Sequence, residues 1–100
     1  MFSKETLENA VGRIRGEVAC LLPVRSNEDA MRVNQIREAS LAIKYVLKRE
    51  DEIDLTNEDE VRIALREEAV NIGVDDVART VEIAVEEIGK AFEVNNAPSM

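Results

Sequence analysis

Residues 56–92 read TNEDEVRIALREEAVNIGVDDVARTVEIAVEEIGKAF, and this stretch decides the fold class. Val61, Ala64, Leu65, Ala69 and Ile72 recur at helical spacing before Gly73; Val77, Val81, Ala84, Val85, Ile88, Ala91 and Phe92 resume it afterwards. Thr56, three residues before Asp59, has the spacing of a helix N-cap, and Asp75 is placed to cap the next helix. Gly73 suits the left-handed position that ends a helix, with Val74 folding back as its apolar contact. So short a link between two amphipathic helices predicts a helical hairpin. Ile63 and Val70, one heptad apart, lie off the main face as a second apolar stripe.

Upstream, the same period continues. Ser3 is placed as an N-cap, with Phe2 and Leu7 as a hydrophobic staple, and Leu7, Val11, Ile14, Val18 and Leu21 form a seam that Pro23 ends. Ser26 with Asp29 repeats the cap spacing for a long helix carrying Val33, Ile36, Ala39, Ser40, Ile43, Val46 and Leu47. No alternating strand pattern competes. The expected class is all-α: a four-helix antiparallel bundle-like domain, with helices at about 3–22, 27–49, 57–72 and 76–94. Residues 1–94 form a single helical domain and 95–100, containing Pro98, a flexible tail.

Composition narrows the chemistry. Aromatics are 3% of the chain and Trp is absent, so Val, Ile, Leu and Ala must build the core. There is no His, hence no ordinary proton shuttle at neutral pH and no imidazole ligand. The single Cys20, among Val18, Leu21 and Leu22, is expected to be a packed, inert thiol. With no apolar signal region and no run approaching 18 apolar residues, a soluble cytoplasmic protein without membrane association is expected.

Several sites are rejected on spacing. A helix-turn-helix reading of Ala69–Gly73 fails because the following helix presents Asp75, Asp76, Glu82, Glu86 and Glu87, with Arg79 at a position that should be apolar. Calcium loops beginning at Asp54 or Asp51 misplace the required Gly and Glu. Ser, Thr and Cys have no His to activate them, and Glu67–Glu68 and Glu86–Glu87, adjacent in sequence, point about 100° apart on a helix. There is no candidate catalytic, cofactor or metal site, and the chain reads as a non-enzyme.

Charge carries the remaining signal. Residues 1–50 hold nine bases and seven acids, whereas residues 51–100 hold four and fourteen, for a net charge of −8. Glu58, Asp59, Glu60, Asp75 and Asp76 are explained by helix N-termini, where the dipole favours acids by about 0.3–1 kcal/mol each. Glu58–Arg62 and Glu86–Lys90 have favourable helical pairing. Acids left over include Asp51, Glu52 and Asp54 in the connection, Glu67, Glu68 and Glu87 on helices, and the stripe of Glu82, Glu86 and Glu93. Asp51, Glu52, Asp54, Glu82, Glu86 and Glu93 are the candidate protein-binding residues, facing a basic protein surface such as that of a nucleic-acid-binding protein. Small acidic proteins of phages and mobile elements, anti-CRISPR proteins among them, inhibit in this way; the likeness here is one of size and charge, with no shared motif.

A second feature is the stripe Gly12, Gly16 and Ala19, opposite the Leu7–Leu21 seam. Two glycines within a helix each cost about 1 kcal/mol relative to Ala, which predicts a close approach by another helix, as in a homodimer. Arg13 and Arg15 flank it and could meet acids there. The alternative function is a structural or assembly component, homo-oligomeric through helix packing, with basic first half against acidic second half. Direct nucleic-acid binding through Arg25, Arg32, Arg37, Lys44, Lys48 and Arg49 is the weaker option.

Overall fold

The computed structural model describes residues 2–95, so the tail expected over 95–100 lies outside the described residues beyond Asn95. The described residues form four helices and no strand: α1 Lys4–Leu21, α2 Asn27–Leu47, α3 Glu58–Ile72 and α4 Val77–Asn95. The Ser3 hydroxyl accepts from the Thr6 N–H and the Ser26 hydroxyl from the Asp29 N–H, each at 3.1 Å, so both expected caps form. Phe2 and Leu7 are both buried, as a staple requires.

The two later caps shift by one residue. Asn57, not Thr56, starts α3: its side-chain oxygen accepts from the Asp59 N–H at 3.0 Å and the Glu60 N–H at 3.2 Å. Thr56 is drawn away because its hydroxyl and N–H both donate to Asp54. Likewise Asp76, not Asp75, receives the Arg79 N–H at 3.0 Å at the start of α4. Gly73 takes φ 84°, and Val74 N–H bonds Ala69 C=O at 3.2 Å while Val74 is buried, which closes α3 as the sequence predicts.

The helices pair as two antiparallel hairpins. Lys4 at the start of α1 reaches Glu50 beyond the end of α2 at 3.0 Å. Ile63 and Arg66, midway along α3, share a groove with Val77 and Val81 in the first turns of α4. Helices α2 and α4 touch each other and both outer helices, whereas α1 and α3 do not touch. The cross-section is therefore a rhombus with α2 and α4 on its short diagonal, and the molecule is flattened, 42 × 39 × 18 Å.

Burial follows that geometry. The core joins Leu7, Ala10 and Ile14 of α1, Ile36, Ala39, Ile43 and Val46 of α2, Val61, Ala64 and Leu65 of α3, and Ile83, Ala84, Ile88 and Ala91 of α4. Leu55 is also buried and pins the α2–α3 connection to this core. On α4 the buried line runs through Thr80, Ala84, Glu87, Ile88 and Ala91, while Val77, Val81 and Val85 are half-buried and Phe92 is exposed. The buried face of α4 is thus rotated from the expected one toward Thr80, Ile83 and Glu87, because a helix on the short diagonal meets three neighbours at close range.

Candidate functional site

The six candidate carboxylates lie on two elements and all are exposed. Asp51, Glu52 and Asp54 occupy the α2–α3 connection, whereas Glu82, Glu86 and Glu93 line the outer side of α4. No hydrogen bond or ion pair among the described residues joins the two groups. They form two acidic patches without a shared pocket.

Local pairing removes some of this charge. Arg49 gathers Glu68 at 2.9 Å, Glu67 at 3.1 Å and Glu52 at 3.4 Å, tying the connection to α3. That network also occupies a cation named for the weaker nucleic-acid reading. Asp54 accepts from the Thr56 hydroxyl and N–H, which hold its carboxyl below the usual range. Glu82 pairs with Arg79 at 2.9 Å. Asp51, Glu86 and Glu93 form no ion pair or hydrogen bond among the described residues, so their charge is directed to solvent.

Two pairing expectations meet different outcomes. Glu58 and Arg62 form their expected pair at 3.0 Å. Lys90, expected to pair with Glu86, instead lies 3.4 Å from Glu87. The reason is burial: Glu87, one of the helical acids that no cap or helical pairing explains, is only 3% exposed, inside the α1–α4 contact.

Around Glu87 the structure assembles a group that periodicity alone did not find. Arg13 Nε lies 3.9 Å from Glu87 Oε1, beyond hydrogen-bonding range, and both atoms are buried without hydrogen-bond partners. Arg13 also approaches Glu17 at 3.8 Å, so its acidic partners are within the chain. Burial first, then the neighbouring Glu17 carboxyl, raises the Glu87 carboxyl above its ordinary range, with Lys90 opposing. A cleft of about 370 Å³ adjoins the cluster, lined in part by Glu17, Arg32, Arg79, Ile83, Glu86 and Lys90. The signal present in the sequence was the line Thr80, Ala84, Glu87, Ala91 at steps of 4, 3 and 4, which places Glu87 among small residues.

The small-residue stripe is open. Gly12, Gly16 and Ala19 are exposed, and a Cβ added at either glycine would meet nothing within 4 Å. Among the described residues, therefore, no helix makes the close approach that these glycines permit. Cys20 is exposed, contrary to the expectation of a packed thiol, because it sits one helical turn beyond Gly16 on this outward side. Ile63 and Val70 are also open, at 61% and 60% exposure.

Among the described residues no three His, Cys, Asp or Glu side chains are grouped to hold a metal ion. No helix among the described residues is long and apolar enough to cross a membrane. Comparison with protein-family models, curated proteins and solved structures found no match to this chain.

Proposed function

We propose that this is a small, non-enzymatic cytoplasmic protein whose acidic surface binds a basic protein partner, inhibiting it by occupying a surface that otherwise holds nucleic acid. The observation that supports this reading is the exposed, internally unpaired charge of Asp51, Glu86 and Glu93, flanked by Glu52, Asp54 and Glu82, on a chain of net charge −8. Such a surface attracts a cationic groove and speeds encounter with it, while repelling nucleic acid itself. Lys substitution at Asp51, Glu52, Glu82 and Glu86 together is the test. Affinity capture from nuclease-treated host lysate is expected to recover basic proteins with the native chain and to lose them with the substituted one. Capture of the same partners by both chains overturns the reading.

A second reading is a homo-oligomeric assembly component, and the open stripe of Gly12, Gly16 and Ala19 favours it. A homodimer packed there would have a light-scattering mass of twice the 11.2 kDa chain, and Gly16→Leu would return it to the monomer. A native monomer at all concentrations removes this reading.

A further inference from the structure

A groove of about 380 Å³ runs between the antiparallel helices α1 and α2. Its apolar lining is Val11, Ile14, Val18 and Leu41, interrupted by Ser40; its rims carry Arg15 on α1 and Arg37 and Lys44 on α2. No acid lines it. Arg15, Arg37 and Lys44 are exposed and form no ion pair among the described residues, whereas Lys4, Arg13, Arg49, Arg62, Arg79 and Lys90 all do. Three uncompensated cations around one apolar trough run against the composition of a protein with net charge −8.

We infer that this groove docks an acidic amphipathic helix of another protein. The trough accepts aliphatic side chains and the rims accept carboxylates, the pattern by which a helix lays its apolar face into a groove. Arg37 and Lys44 are seven residues apart on α2, about 10 Å, which matches two turns of a bound helix. An extended peptide has no strand edge to pair with among these helices. Nucleic acid suits the site less well, because the floor offers no aromatic ring for base stacking and a long polyanion meets the protein's negative field. The inference uses none of the carboxylates invoked in the proposed function, so either can fail without the other.

The test is fluorescence anisotropy of the full chain with a labelled 15-residue helical peptide carrying Leu at positions 4, 8 and 11 and Glu on both flanks. Saturable binding is expected, weakened at least about tenfold by Arg37→Glu with Lys44→Glu. Replacing the three Leu by Ser should weaken it by a similar factor. Arg37→Gln with Lys44→Gln gives a milder second variant, and circular dichroism confirms that each retains its helices. Absence of binding, equal binding of the Ser peptide, or affinity unchanged by the groove substitutions overturns the inference. So does preferential binding of a single-stranded oligonucleotide, or a native dimer in sedimentation velocity that Lys44→Glu dissociates, which would give the groove to a second copy.

Discussion

Glu87 shows how far one side chain can depart from the behaviour of its neighbours. Glu86, next in sequence, is exposed, whereas Glu87 enters the α1–α4 contact beside Arg13, Glu17 and Lys90. The fold favours its protonated form more than the unfolded chain does. The stabilisation from binding that proton is therefore complete below the ordinary carboxyl value of 4.5 and is lost as pH rises through the elevated folded value. Glu87→Gln keeps the shape and removes the charge, so the variant should be more stable than the native chain at pH 7. Urea denaturation at a series of pH values should show that advantage shrinking toward pH 4.5, and a less stable variant at pH 7 would refute the assignment. Cys20 teaches the complementary lesson: an apolar neighbourhood in sequence did not bury it, because adjacent helical residues point in different directions.

At the scale of the element, starts and stops were largely legible from sequence, since a cap involves residues only a few positions apart. Ser3, Ser26 and Gly73 occupy the positions read for them, and each helix boundary lies within two residues of its expectation. Asn57 and Asp76 were missed because two capable residues stood side by side, and Asp54 decided one contest by engaging Thr56. Asn57→Ala should therefore cost about 1 kcal/mol, while Thr56→Ala stays within about 0.5 kcal/mol, as expected of exposed sites. Urea midpoints distinguish them, and equal losses would contradict the Asn57 cap. On α1, Gly16 is helical, exposed and clear of any neighbour. Gly16→Ala should then stabilise the monomer by about 0.8–1 kcal/mol, raising the thermal midpoint; a lowered midpoint would mean that something packs against the stripe.

For the whole molecule, the rhombic arrangement sets which residues are central. Because α2 and α4 touch across the short diagonal, Ala39 and Ala84 are fully buried alongside Ile43 and Ile88. Ala84→Leu should overpack this contact at a cost of about 1–3 kcal/mol, seen as a lower thermal midpoint; an unchanged midpoint would argue against close α4 packing. The six candidate carboxylates were found exposed where sequence placed them, but the division into two patches and the internal pairing of Glu52 and Glu82 required the fold. The groove cations Arg37 and Lys44 were visible as charges, yet their meeting with Arg15 over an aliphatic floor comes from two helices lying side by side. By itself the sequence determined the all-α class, the four helices, the Gly73 hairpin and the surplus of acid, because helical period, caps and charge are local properties of the chain. Only the tertiary structure decided the rotation of α4, the burial of Glu87 and the openness of the Gly12–Gly16 stripe, because each depends on which helices approach one another and how closely.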